Sequence, residues 1–591
     1  MTERHPPLTP WPLDQLLTRV AREWTERGEI FGLSGRRFFK TDPDVDLSVD
    51  LGGHPMATPV GPAAGPHTQL AQNIVLAWLA GARSFELKTV QVLDELDIAR
   101  PCIDMENVGY NIEWSQELTL TESLHEYVKA WVMLAVLRRW EPLREVLGDP
   151  GEHVFELSVG YDLPGVQSDT MTAFIQGLLK ADDMIAAFAA QVPATFGDAA
   201  ALDIPGRIVG TATISTFHGC PPEQVEGIVQ HLMTAHGLDV TVKLNPTLLG
   251  EDAVREILHD RLGYTDIPLV PEAFAEDLQF PAALDLITRL RTFGAQAGRV
   301  FGIKLTNTLV VENLRGVMPG DRMYLSGRPL HVLAVTLLDR LMAALPGELD
   351  LAGNAGGIPV AFSAGVDKDN LGGMIGLGLA PVTICSDLLK PGGYGRLAQG
   401  LRSWRKALQT AGWATTAQWR AHVQREALAA GHRDAVQAAA AHLKTVEGSA
   451  RYTLAGSGKP LRQVDNDLQE FECVACGNCV SVCPNNAFFT VPSGDTAGLE
   501  SRNQYLVLAE LCNECGNCVT FCPEKGEPQL IKPRLFTDPA AWTAWDRQGY
   551  FLDRTPDGTL RVTGDGAGAE TLRRLLADGA DLPFRLGAQE D

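Results

Sequence analysis

At 591 residues the chain has room for roughly three or four domains by the usual length prior, a large single-domain barrel among them. Its 73 acidic against 50 basic residues give a formal charge of -23, which argues against a nucleic-acid or anionic-membrane partner. With 45% hydrophobic and 21% charged residues it reads as an ordinary globular protein, and its best apolar run, around Val128 to Leu137, is too short to span a bilayer and ends in Arg138 and Arg139.

Residues 1–54 are an N-terminal segment whose start, Met1 to Leu13, is polar and proline-rich without an apolar signal core, so a cytoplasmic, reducing location is expected. From about residue 55 to 396, short β-rich runs alternate with helical stretches. The predicted strands are Ala57–Gly61, Ser84–Thr89, Val154–Val159, Ile208–Ile214, Val240–Leu244, Val300–Thr306, Pro359–Ser363 and Pro381–Cys385. Eight such units predict an α/β fold, a closed (β/α)8 TIM barrel whose working face lies at the strands' C-terminal ends. An insertion at 101–151 shows helical periodicity over Leu124–Leu147, and a helical pair is expected over Thr170–Phe196. Residues 397–462 are alanine-rich and read as a helical connector. A ferredoxin-type module follows at 463–535, and the tail, 536–591, carries a hairpin over Tyr550–Val562, turned at Pro556-Asp557-Gly558, and a helix near Glu570–Ala577.

Eight of the eleven cysteines form two runs, Cys473-x2-Cys476-x2-Cys479-x3-Cys483-Pro484 and Cys512-x2-Cys515-x2-Cys518-x3-Cys522-Pro523. This is the ligand spacing of two [4Fe-4S] clusters: three close thiolates wrap one cube and the fourth turns to the other. Cluster A would take Cys473, Cys476, Cys479 and Cys522, and cluster B Cys512, Cys515, Cys518 and Cys483. Zinc ribbons share paired cysteines but not the third close cysteine followed by Cys-Pro. The chain is therefore expected to move electrons.

The unusual polar residues gather at one rim of the expected barrel. Gly61-Pro-Ala-Ala-Gly65 follows the first strand, Lys88 and Thr89 end the second, and Thr216-Phe-His-Gly-Cys220 follows the fourth. Lys243 and Asn245 close the fifth, Lys304 to Thr308 the sixth, Ser363-Ala-Gly365 the seventh, and Cys385-Ser386-Asp387 the eighth. A flavin mononucleotide lying across that rim gives each a use. Small residues after the last two strands admit a phosphate to backbone N–H groups, though they also suit a tight turn. Lys88 and Lys243 sit in apolar strands where an ammonium needs a negative partner; a reduced flavin is one, and Glu86 is another for Lys88. Asn111, Asn245, Asn307 and Thr308 can orient a ring with C=O and N–H edges, or simply bond their own loops. Cys220, between Gly219 and two prolines, is expected to present its thiol as a proton donor, with inert packing as the alternative and His218 as the competing acid.

Residues 57–390 resemble the flavin-binding barrel of dihydropyrimidine and dihydroorotate dehydrogenases in Pro59-Val-Gly-Pro-Ala-Ala-Gly65, Leu87-Lys-Thr89, Asn111-Ile-Glu113, Cys220-Pro221, Lys243-Leu-x-Pro246, Thr306-Asn-Thr308, Ser326-Gly327 and Cys385-Ser386. Nearly the whole chain resembles the family labelled selenate reductase iron-sulfur subunit, through Gly61-Pro-Ala-Ala-Gly-Pro-His-Thr-Gln-Leu-Ala-Gln-Asn73, His218-Gly-Cys-Pro-Pro222, Lys243-Leu-Asn-Pro-Thr-Leu-Leu-Gly250 and Asp387-Leu-Leu-Lys-Pro-Gly-Gly-Tyr394. The resemblance implies that Lys88 and Lys243 contact the flavin, that Ala63, Ala64, Gly65 and Thr89 line its ring, and that Gly327, Ala364, Gly365, Cys385 and Ser386 hold its ribityl phosphate. It implies that Asn111, Asn245, Asn307 and Thr308 grip a substrate ring and that Cys220 is the acid. Phe217 replaces an asparagine of the pyrimidine enzymes, and Lys304 is an added cation, which suggests a more anionic or oxygen-rich substrate. Long members of the selenate-labelled family carry a nucleotide-binding flavoprotein half, and no G-x-G-x-x-G strand-to-helix fingerprint occurs here.

The expected activity is therefore an FMN- and iron-sulfur-dependent oxidoreductase. It would draw electrons from a separate NAD(P)H-oxidising flavoprotein subunit or a ferredoxin and reduce a purine- or pyrimidine-like heterocycle. A selenate-type oxyanion reductase subunit and a non-catalytic electron-transfer subunit are the alternatives, and the oligomeric state stays open.

Overall fold

The computed structural model describes residues 8–576, 582, 584 and 586, apart from 93–97, 113–114, 216–219, 315, 352–355, 430–434, 459, 495–497, 546 and 556–557. Its barrel strands are β1 (Val60–Pro62), β2 (Ser84–Glu86), β3 (Val154–Val159), β4 (Val209–Ser215), β5 (Asp239–Leu244), β6 (Phe301–Leu305), β7 (Ile358–Phe362) and β8 (Val382–Ile384). They run in the order β1-β8-β7-β6-β5-β4-β3-β2, all parallel, and each coincides with a strand expected from the apolar pattern. β1 meets β2 through Arg83 N donating to Val60 O at 2.9 Å, which all but closes the barrel. Gly61 makes that seam feasible: a Cβ there would stand 1.5 Å from Ser84 O.

The barrel interior departs from the apolar layers usual in this fold. Glu86 and Glu156 face each other across β2 and β3, and Lys243 and Lys304 across β5 and β6. Glu86 reaches Lys243 Nζ at 2.9 Å and Lys304 Nζ at 2.7 Å, while Thr213 Oγ1 donates to Glu156 at 2.7 Å. Burial by itself would raise the Glu86 carboxyl; the two lysines override it and hold it below the ordinary range. Glu156 is pushed up, by burial foremost and by Glu86, against the pull of Lys304.

A small antiparallel sheet caps the barrel mouth. It joins Ile103–Asp104 and Gly109–Asn111 from the insertion after β2 to Leu309–Glu312 and Arg322–Ser326 from the excursion after β6. The insertion's second half is helical, Leu120–Arg139 and Glu141–Leu147, and the pair after β3 is Asp169–Leu179 and Asp182–Ala189. In the region read as a connector lie helices Gly395–Thr410, Thr416–Ala429 and Ala435–Glu447. Rather than bridging a gap, they coat the barrel: Leu397, Leu401, Trp404 and Leu408 form one buried stripe, and Trp419 Nε1 donates to Gly372 O at 2.7 Å. No helix among the described residues is long and apolar enough to cross a membrane.

The cysteine runs lie in loops and short helices, Asn478–Val482 and Asn517–Phe521, that flank the strands of a second sheet, β9 (Phe488–Pro492), β10 (Asn503–Leu508), β11 (Arg534–Phe536), β12 (Tyr550–Arg554) and β13 (Leu560–Thr563), paired in chain order. The expected tail hairpin is β12–β13, and it extends this sheet; its turn residues Pro556 and Asp557 lie outside the described residues. The tail helix is Gly566–Leu576.

Candidate functional site

At the strands' C-terminal ends lies a cavity of ≈ 280 Å³. Ala63, Ala64 and Gly65 after β1 and Thr89 after β2 form one wall, Lys243 closes the end of β5, and Asn307 and Thr308 follow β6. Cys385 and Ser386 after β8 and Ala364 and Gly365 after β7 continue that wall beside β1, with Ala63 N donating to Ile384 O at 3.0 Å, and Asn111 and Gly327 reach in from the cap. Residues scattered over 324 positions, from Ala63 to Ser386, therefore meet because each closes a strand of one barrel.

One end of the cavity is a cradle without side chains. Gly365 has φ +52°, and a Cβ there would meet Gly327 O at 2.2 Å; Gly327 has φ +78° and begins helix Arg328–Ala344. Ser326 Oγ and Ser386 Oγ share a hydrogen bond of 2.8 Å beside it. Backbone amides at a helix start, hydroxyls and no Cβ make a fitting seat for a phosphate. Toward the middle, the buried hydroxyls of Thr306 and Thr383 line the cavity with no hydrogen-bond partner among the described residues. Unsatisfied buried hydroxyls are costly, and they suit a ligand carrying C=O and N–H edges. The cavity's own residues thus fit a flavin mononucleotide.

Four expected site residues do not line the cavity. Lys304 is fully buried and engaged by Glu86, so its charge is neutralised in the barrel layer and not offered to a substrate. Asn245 donates to Asp277 Oδ2 at 3.1 Å. Lys88 Nζ donates to Gln69 Oε1 at 2.9 Å and lies 3.6 Å from Glu117 Oε1, while Glu86, the partner considered for it, pairs with Lys243 and Lys304. Cys220 is packed rather than presented, at 8% exposure, with its thiol 3.8 Å from Pro221 O. Burial, with Asp162 nearby, pushes that thiol up to about 11, so it holds its proton. His218 lies outside the described residues, as do Thr216, Phe217 and Gly219. Conversely, Tyr324 and Thr383 line the cavity without having been expected there, and Thr306, placed on the rim by the sequence, lines it with no role foreseen.

The thiols of the cluster domain raise one another in two groups. Burial leads in every case; Cys476 and Cys473 add to it at Cys479 and at Cys522, whereas Cys512 adds to it at Cys483 and at Cys515. Cys518 feels Cys515, Cys512 and Cys483, and then Cys479. Cys483 is thus a neighbour of Cys512 in the second run, and Cys522 a neighbour of Cys473 and Cys476 in the first.

Residues 31–442 match the family described as "Oxidoreductase YgfK, N-terminal TIM-barrel domain". The chain belongs to the YgfK oxidoreductase family. Residues 472–525 match the 4Fe-4S dicluster domain, so the C-terminal module is an iron-sulfur domain. The YgfK proteins of Escherichia coli strain K12 and of Escherichia coli O157:H7 are each 39% identical over 414 residues, 67% of this chain. That alignment covers 39% of either protein, so the chain spans about two fifths of the length of these YgfK relatives. Two structures of dihydroorotate dehydrogenase from Eimeria tenella, one ligand-free and one in complex with ferulenol, align over 64% and 68% of this chain and 93% of theirs. Both are 14% identical, with TM-scores of 0.39 and 0.40, too distant to lend support to shared chemistry.

The iron-sulfur domain sits against the barrel mouth of this YgfK-family chain. Cys102 N and Ile103 N donate to Cys515 O at 3.1 and 2.9 Å, and Ile103 pairs with the cavity residue Asn111 in the cap. On the other side Gln69 Nε2 donates to Asn485 Oδ1 at 2.8 Å and Asn73 Nδ2 to Pro484 O at 2.6 Å. Cluster B's ligand loops thus rest on the elements that wall the cavity, whereas the Val474–Cys476 stretch of cluster A is exposed.

Proposed function

We propose that the cavity binds FMN and that the chain reduces a purine- or pyrimidine-like heterocycle with electrons passed through its two clusters. The observation that carries this reading is the side-chain-free cradle of Gly327 and Gly365, in a cavity whose wall is hydrogen-bonded to the loops of a 4Fe-4S domain. FMN bound there would supply the two-electron step that single-electron clusters lack.

The residues divide the remaining work. Gly327, Ala364 and Gly365, with Ser326 and Ser386, hold the phosphate end. Ala63, Ala64 and Thr89 bound the ring, and Lys243, paired with Glu86 at 2.9 Å, is the cation at its edge. Asn111, Asn307 and Thr308 orient the substrate ring, and the unpartnered hydroxyls of Thr306 and Thr383 add donors and acceptors. Cys220, packed beside Pro221 outside the cavity lining and protonated up to about 11, is the proton donor that the family resemblance implies, and whether it reaches the reduced carbon is what its alanine variant tests. The electron donor is a separate NAD(P)H-oxidising flavoprotein or a ferredoxin.

The test is anaerobic. Denaturing the purified protein should release about one FMN per chain, and the reduced protein should be reoxidised by a member of a panel of purines and pyrimidines. Absence of flavin sinks the reading. Reoxidation by selenate alone would replace the heterocycle with an oxyanion.

A further inference from the structure

The two clusters differ in access. The second run is covered: Asn513, Glu514 and Cys515 are buried, and a Cβ on Gly516 would stand 2.6 Å from the side chain of Pro101. The matching stretch of the first run, Val474-Ala475-Cys476, is exposed, Val474 at 37%. Cys476 opens into a groove of ≈ 590 Å³ that is also lined by Arg37 and by two ion pairs, Arg19 with Glu23 at 2.7 Å and Arg27 with Glu29 at 3.9 Å.

Around Arg37 the surface is basic, against a chain charge of -23. Arg36, Arg37, Lys40 and Lys406 are exposed and Arg402 and Arg405 half-buried, and none of the six forms an ion pair among the described residues. They are held together through backbone: Arg402 donates to Arg37 O at 3.0 Å and Arg405 to Lys40 O at 2.7 Å. Asp42, bonded to Gln409, is the acid at the edge of this patch. On the far flank of the loop Asp465 pairs with Lys525, whereas Glu470, Glu472, Asp467 and Glu500 have no cationic partner among the described residues, so the charge at the groove is split and only the Arg37 side is basic.

We propose that this groove and its basic rim dock an acidic one-electron carrier protein, which reduces the cluster held by Cys473, Cys476, Cys479 and Cys522. One electron leaves the carrier's reduced centre and one oxidised cluster of this chain accepts it; no bond is made or broken. Buried cluster B then takes the electron from cluster A, so the order is carrier, A, B, cavity. Unpaired cations beside an exposed redox centre raise the encounter rate of an anionic partner and lose that effect as salt screens them. The proposal rests on the proposed use of the clusters as an inlet, but its test reads the clusters alone and is indifferent to flavin.

The probe is photochemically reduced plant-type [2Fe-2S] ferredoxin, mixed anaerobically with the full chain while cluster absorbance is followed. The second-order rate should fall steeply with ionic strength. Arg36→Glu combined with Lys406→Glu should slow it about tenfold or more at low salt and flatten the salt dependence. Lys180→Glu, an exposed lysine outside the groove, should leave it unchanged. Dithionite, a small reductant, should reduce all variants alike, which shows that the clusters are intact. A double variant reduced as fast as the parent, or a parent rate indifferent to salt, overturns the proposal. So does a dimer in sedimentation that the same double variant dissociates, since the rim would then serve a second copy.

Discussion

Gln69 and Asn485 are joined side chain to side chain at 2.8 Å across 416 positions of sequence, and the same Gln69 accepts from Lys88 at 2.9 Å. A barrel loop, a buried lysine and the residue two beyond cluster ligand Cys483 thus form one line. Gln69→Leu leaves Lys88 and Asn485 each short of a partner, and a buried polar group stranded this way costs about 1–3 kcal/mol. The thermal midpoint should fall, and limited proteolysis should separate the barrel from the cluster domain faster than in the parent.

Glu86 and Glu156 should respond to pH with opposite signs. The Glu86 carboxyl is lowered in the folded state, so its contribution is fully present above the unfolded value of about 4.3 and is lost as pH falls through the folded value. Glu156 is raised, so it weakens the fold as pH rises above that same unfolded value. Glu86→Gln, which strands two buried lysines, should cost about 3–5 kcal/mol at neutral pH and flatten the acid limb of the stability curve. Glu156→Gln should be neutral or stabilising at pH 7. Denaturant unfolding from pH 2 to 8 measures both.

Gly365→Ala places a methyl 2.2 Å from Gly327 O at φ +52°. FMN content should fall about tenfold or more while iron and sulfide stay at the parent's level. Equal loss of flavin and iron would mean general misfolding instead.

Cys220→Ala should keep FMN and lose turnover by about 10²–10⁴. In the parent the rate should stay level through pH 9, because the thiol is held to about 11; an unperturbed thiol near 8.5 would already be mostly deprotonated there. A decline centred near 8.5 would remove Cys220 from the role.

The crossed ligand sets make an iron count decisive. Cys483→Ser with Cys512→Ser should lose about four irons, no more than either change alone, because both serve one cluster. Cys483→Ser with Cys473→Ser should lose about eight. The reverse pattern would mean that each run binds its own cube.

Lys88 shows where reading residues along the chain stops. Its burial in an apolar strand and its need for a negative partner were legible, but the partner is Glu117 in the insertion, itself bonded by Asn513 of the cluster domain at 2.7 Å. The capping sheet was hidden because its strands are two to five residues long and pair across more than 200 positions. Cys220 looked presented because glycine and proline flank it; what lies over it is set by packing.

The sequence by itself determined the eight strands, the rim to which the polar residues belong and the spacing of the cluster cysteines, because apolar periodicity and ligand spacing are local properties of a chain. Tertiary structure alone decided which lysine faces the cavity, which carboxylate neutralises which cation, and that cluster B is covered while cluster A is open. Those outcomes depend on side chains hundreds of residues apart competing for the same few ångströms, and no local pattern records the winner.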